Sequence, residues 1–111
     1  MLNKFQFMNK NKKRDNQELL ELMRLIYKKP QSNQRDLAYN LGFSVGKLNY
    51  CLRALKQKGL VKIENFKKNP NKFAYIYVLT PKGISEKTKL TLNFMKIKMR
   101  EYEDLKKEID G

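Results

Sequence analysis

Lys47, Asn49, Tyr50 and Arg53 follow one another in close succession, and their side chains share one chemical talent, polar recognition. An asparagine amide carries a donor and an acceptor side by side, the pattern that pairs bidentately with an adenine edge. An arginine fork or a lysine ammonium suits guanine or phosphate. The tyrosine offers a hydroxyl to phosphate and a ring face to a thymine methyl. Each of the four also has a plainer reading, as solvated surface or partial core.

Catalysis finds much less support. The chain has no histidine and one cysteine, Cys51. Ser-His-Asp and Cys-His arrangements are therefore excluded, and a structural zinc lacks its usual ligands. Glu18, Glu21, Glu101, Glu103, Asp104 and Glu108 read as solvated helix faces rather than as an acid/base pair, and no Gly-rich phosphate loop is present. The expectation is a non-enzyme without metal or cofactor. A lone cysteine forms no intrachain disulfide, which fits a reducing cytosol. Cys51 reads as core-edge packing, with a redox-sensing thiol as the alternative.

The elements that must hold the four side chains follow from the flanking pattern. Leu48, Leu52 and Leu55 fall at helical spacing, so one helix buries them and turns Val45, Gly46, Lys47, Asn49, Tyr50 and Arg53 outward. Ser44 caps this helix, Phe43 can staple onto Leu48, and Gly59 closes it. A shorter helix precedes it, roughly 33–41, with Ser32 expected as its cap and Leu37, Ala38 and Leu41 inward. Gly42 supplies the left-handed turn between the two. Two short helices meeting at a Gly-Phe-Ser corner form a helix-turn-helix pattern. The Ser32, Gln34 and Arg35 segment adds a helix N-terminus suited to phosphate. Gly46 costs helix stability, a cost that close approach of the backbone to DNA would explain.

The remaining chain reads as support. An Asp15/Glu18 capping box opens a first helix running to about Lys29, with Leu19, Leu22, Met23 and Ile26 buried and Pro30 as its stop. Leu60 to Ile63 and Phe73 to Leu79 read as strands, and Asn69-Pro70-Asn71 marks the turn between them. Lys67, Lys68 and Lys72 flank Asn69 and Asn71, giving the hairpin a basic tip suited to the nucleic-acid backbone or minor groove. Thr80-Pro81 then opens a last helix that meets no breaker after Gly83. Leu92, Met95, Met99, Tyr102 and Ile109 form its apolar stripe. A second copy of the chain is the favoured cover for that stripe, and folding back onto its own domain is the alternative.

The chain has 111 residues, enough for one domain with one core. Lys and Arg number 25 against 11 Asp and Glu, a formal charge of +14. Such an excess favours a polyanionic partner, although a Lys-rich surface can also serve solubility alone. No apolar run approaches the roughly 18 residues of a membrane span, so no membrane partner is expected. The fold class is mainly α with a small β-hairpin wing: a winged helix-turn-helix followed by a long C-terminal helix. Its divisions are a basic flexible arm over 1–14, a DNA-binding domain over 15–80 and a dimerisation helix over 81–110.

Three strings make a resemblance specific. The first is Gln34-Arg35-Asp36-Leu37-Ala38 through Leu41-Gly42. The second is Gly46-Lys47-Leu48-Asn49-Tyr50-Cys51-Leu52-Arg53-Ala54-Leu55 with Lys58-Gly59. The third gathers Asn65-Phe66-Lys67, Tyr75 to Leu79 and Thr80-Pro81-Lys82-Gly83-Ile84. Together they resemble the MarR-type winged-helix regulators, and among them the small ones associated with bacterial exopolysaccharide (EPS) gene clusters. The resemblance covers roughly Glu18 to Asp110. It implies a cytoplasmic homodimer on double-stranded operator DNA and, through the EPS likeness, control of a polysaccharide gene cluster. It carries no assumption of a small-molecule effector, because larger relatives hold their ligands in parts this shorter chain need not share. The rival classes are a winged-helix protein–protein adaptor and a basic RNA-binding module.

Overall fold

Among the described residues of the computed structural model, four helices and one hairpin follow in the order α1 (Lys12–Lys28), α2 (Gln34–Leu41), α3 (Val45–Gln57), β1 (Val61–Asn69), β2 (Lys72–Leu79) and α4 (Pro81–Asp110). The structure describes residues 12–69 and 72–111, with the backbone alone at 12–15, 66–69 and 72–74. The architecture is mainly helical with an antiparallel hairpin wing and a long last helix, as the sequence predicts.

The core forms where α1, α2, α3 and the start of β1 converge. Leu22, Met23, Leu37, Leu48 and Leu55 are fully buried there, joined by Leu19, Ile26, Cys51, Leu52, Leu60 and Val61. Each helix contributes residues at three-four spacing, so one apolar stripe per helix suffices to close the interior. Cys51 belongs to this cluster as a small hydrophobe.

Several boundaries differ from expectation. Helix α1 is already helical at Lys12, so Asp15 lies within the helix rather than at its cap. Lys12, Lys13 and Arg14, expected in the arm, are good helix formers and no breaker separates them from the apolar stripe. Residues 1–11 of that arm lie outside the described residues. The cap of α2 is Asn33, not Ser32. The Asn33 side chain accepts from the Asp36 N–H at 2.8 Å, and the Asp36 carboxylate accepts from the Asn33 N–H at 3.3 Å. Ser32 instead donates its backbone N–H to the Lys29 carbonyl at 3.1 Å, closing the turn after α1. Its side chain is buried.

The corner between α2 and α3 depends on Gly42, whose φ of 67° lies in the left-handed region. There its N–H reaches back to Tyr39 at 3.3 Å and the Phe43 N–H reaches Ala38 at 3.0 Å, which satisfies the carbonyls at the end of α2. Ser44 then caps α3, its hydroxyl accepting from the Lys47 N–H at 3.1 Å.

The first strand is longer than its composition suggests. It continues through Glu64, Asn65 and Phe66 to Asn69, in register with β2 from Val61↔Leu79 to Lys67↔Phe73. Strand β2 is rich in β-branched and aromatic residues. Pairing with it holds the less β-prone Glu64–Lys67 extended. A register shift follows Lys67, before Asn69 pairs with Lys72.

Helix α4 is fastened at its start. Thr80 donates its N–H to the Leu60 carbonyl at 3.0 Å and its hydroxyl to the Gly59 carbonyl at 2.6 Å. The same hydroxyl caps the helix by accepting from the Gly83 N–H at 3.0 Å. Gly83 is buried against this junction, and a Cβ there would lie 2.0 Å from the Leu60 carbonyl oxygen. Close approach of two backbones is what demands glycine here. Beyond this anchor α4 packs along α1, and Lys87 sits 4.5 Å over the Tyr27 ring. The helix then runs on to Asp110, 30 residues in all and about 45 Å long.

Candidate nucleic-acid interface

Helix α3 has two unlike faces. Leu48, Cys51, Leu52 and Leu55 are buried, whereas Ser44, Val45, Gly46, Asn49, Tyr50 and Arg53 are exposed. Three-four periodicity divides the helix in this way, because the apolar stripe must face α1 and α2. Tyr50 stands 48% exposed although it is a large aromatic residue. Among the described residues, nothing beyond the neighbouring backbone of α3 itself lies within 4 Å of the position a Cβ would take at Gly46, so no tertiary contact there requires glycine.

Two of the polar side chains on this helix are held from within. The Lys47 ammonium lies 2.9 Å from a Glu18 carboxylate oxygen on α1 and 4.6 Å from the Phe43 ring centroid. The Asn49 side-chain oxygen accepts a hydrogen bond from the Gln34 amide of α2. Gln34 is thereby brought beside the outward face of α3. Arg35 is exposed at the same helix start, while Ser32 is turned into the protein. Ser32 is buried, and the half-buried Asn33 takes the cap position one residue later. The reason is local: an extended Asn33, with ψ of 178°, begins the helix and leaves Ser32 to finish the preceding turn.

The wing extends the same side of the molecule. Ile63, Tyr75 and Tyr77 line an open groove together with Asn33, Gln34 and Arg35. Tyr75 is 66% exposed. Alternation along the strands, with Ile63 opposite Tyr77 and Asn65 opposite Tyr75, puts these side chains on one sheet face. Sequence reasoning took them as strand residues only; their period of two was the signal available. Lys67, Lys68, Asn69 and Lys72 lie on the strands at the far end of the hairpin. Asn71 lies outside the described residues.

Glu18 was also missed. It reads as part of a solvated helix face, and no linear signal connects it to Lys47, because only the packing of α1 on α3 brings them together. The stripe on α4 stands open. Leu92, Met95, Met99, Tyr102 and Ile109 are all exposed, Ile109 to 85%. Among the described residues, no helix is long and apolar enough to cross a membrane.

A capped helix pair around a left-handed glycine, an open-faced second helix and a following hairpin define a winged helix-turn-helix. In agreement, residues 19–62 match the family model of winged helix-turn-helix DNA-binding segments. No curated protein matches the chain by sequence. Solved structures do match in fold. MarR from Staphylococcus aureus, in complex with salicylate and kanamycin, has a TM-score of 0.62 and 19% identity, over 78% of this chain and 56% of that one. A MepR variant from S. aureus has a TM-score of 0.66 and 18% identity, over 93% of this chain and 88% of that one. ZitR from Lactococcus lactis, a zinc-responsive MarR family member, has a TM-score of 0.59 and 17% identity, over 79% of this chain and 58% of that one. The chain thus spans little more than half the length of the MarR and ZitR structures. These likenesses place its fold with that of MarR-family structures.

Proposed function

We propose that the chain is a MarR-type transcription regulator that binds double-stranded operator DNA as a homodimer in the cytoplasm. The observation that carries this is the outward face of α3, polar and exposed on a helix whose other face is buried. A helix of this kind fits the major groove, where base edges differ in their donors and acceptors. Asn49, Tyr50 and Arg53 read base edges and adjoining phosphates, Lys47 contributes from the first turn, and Ser44 and Gly46 let the backbone come close. Gln34 and Arg35 take phosphate beside them. Lys67, Lys68, Asn69, Asn71 and Lys72 of the wing fix position on the sugar–phosphate backbone.

Support for the dimer comes from the exposed stripe of α4, which a second copy would cover. Two recognition helices about 34 Å apart would then read an inverted repeat. The EPS resemblance nominates promoters of polysaccharide genes as the first places to look.

Selection of bound sites from random duplex DNA tests the whole proposal. An inverted repeat bound much more tightly than its scrambled counterpart at physiological salt is the expected result. Equal affinity for both would overturn it, and stable RNA binding without duplex preference would favour the RNA-binding alternative. Lys67→Ala with Lys68→Ala should weaken all duplexes alike and reduce the salt slope by about two per protomer, or nearly four for the dimer.

A further inference from the structure

The contact between Glu18 and Lys47 ties α1 to the first turn of α3, in the middle of the proposed interface. We infer that Glu18 is a specificity-determining positioning residue. It holds Lys47 as an oriented, charge-compensated donor, so that Lys47 reads the groove instead of adding to non-specific attraction. The inference rests on the DNA-binding proposal above and deepens it.

Lysine is poorly placed where it stands. The first turn of a helix carries the positive end of the dipole and favours acidic side chains. Helix α3 has no acidic residue in its first turn, and Lys47 occupies the third position after the Ser44 cap. Glu18 supplies from a neighbouring helix the negative charge that α3 itself lacks. Its carboxylate is 2.9 Å from the ammonium, and its side chain is only 17% exposed against 37% for Lys47. A partly sheltered pair is screened less by salt than a fully exposed one.

The geometry is also stiff. Leu19, Leu22, Met23 and Ile26 root α1 in the core, and Leu48 and Leu52 root α3, so packing sets where the two helices meet. Phe43 closes a further side of the ammonium, with its ring centroid 4.6 Å away. An ammonium has three N–H donors. With the carboxylate and the ring face engaging it, the remaining donor capacity has a restricted direction. A free surface lysine would instead add about 0.9 to the salt slope as one more phosphate partner. Asn49 is held in a parallel way by Gln34, so two candidate reading side chains are pre-set by the helices behind them.

The test uses the full chain, its selected operator and a scrambled duplex, titrated between about 50 and 200 mM salt. Glu18→Gln should bind the scrambled duplex more tightly and steepen its salt slope by about one per bound protomer, or about two for the dimer. Its preference for operator over scrambled DNA should fall about tenfold. In a Lys47→Met background the same substitution should change neither quantity. An unchanged slope and preference in Glu18→Gln, while the wild-type chain keeps its preference, would overturn this inference alone. So would the same shift in the Lys47→Met background. A wild-type chain with no preference for any duplex overturns the regulator proposal and this inference with it. Should Glu18→Gln fail to fold, Lys47→Met decides: it should lose operator preference with the scrambled-duplex slope unchanged, and a slope lowered by about one per bound protomer would overturn the inference.

Discussion

Helices α3 and α4 carry the same kind of apolar stripe and meet opposite fates. In α3 the spacing of Leu48, Cys51, Leu52 and Leu55 leads to burial, with none more than 5% exposed. In α4, Leu92, Met95, Met99 and Tyr102 repeat that spacing and all stand more than half exposed. The difference lies in their surroundings. Helix α3 is enclosed by α1, α2 and β1, whereas α4 meets α1 and β2 and then projects beyond them. The half of α4 near its anchor is served by Leu90, Phe94 and Ile97, which border a cleft with Leu20 of α1. Periodicity specifies that a helix face prefers cover; position in space decides whether one chain can provide it.

Removing the cover proposed for α4 should have the largest effect. Truncation after Phe94 should give a monomer by sedimentation and cost about 10²–10⁴-fold in operator affinity, because the second half-site contact ceases to be intramolecular. A truncated chain that still sediments as a dimer would break the contrast, since the stripe would then not be the interface. Core substitution comes next. Leu55→Ala should lower unfolding free energy by about 2–5 kcal/mol, as cavities of that kind do. Met99→Ala, measured by urea denaturation at a dilution where the chain is monomeric, should change it by no more than about 0.5 kcal/mol. Similar losses at both positions would mean that α4 is already covered within one chain.

The anchored end of α4 gives a smaller effect. Gly83→Ala should destabilise by about 1–3 kcal/mol in thermal or urea unfolding, because its methyl group enters the space of the Leu60 carbonyl. An unaffected melting curve would mean that the start of α4 can shift freely, and that anchored and projecting halves differ less than described. The smallest effect concerns the short helix behind α3. Asn33→Ala should cost about 1 kcal/mol through loss of the capping box, more than an Asn40→Ala change on the same helix. Equal losses from the two would place the cap elsewhere.

Much of this fold was legible in the linear chain because its determinants are local. Gly42 can turn left-handed at little steric expense, Ser44 and Thr80 carry hydroxyls at helix starts, and Pro81 removes an N–H that has no partner there. Where expectation failed, two nearby solutions competed. Ser32 and Asn33 are both good caps, and burial of Ser32 chose between them. Glu64 to Lys67 have modest strand preference, and pairing with β2 overrode it. The polar face of α3 was legible too, since its apolar stripe left only one outward side. The couplings behind that face were not, because Gln34 meets Asn49, and Glu18 meets Lys47, only after helices distant in sequence pack together.

By itself, the sequence determined the winged helix-turn-helix, its strong positive charge, the apolar faces of its helices and the polar side chains on the outer face of α3. Those properties reside in spacing, caps and composition, which act within a few residues. Only the tertiary structure decided that Lys47 sits against Glu18, that Gly83 lies against the Leu60 carbonyl, and that the outer stripe of α4 stays bare. Those outcomes depend on how helix axes cross and how far a helix runs past its neighbours, and contacts across long stretches of chain set both.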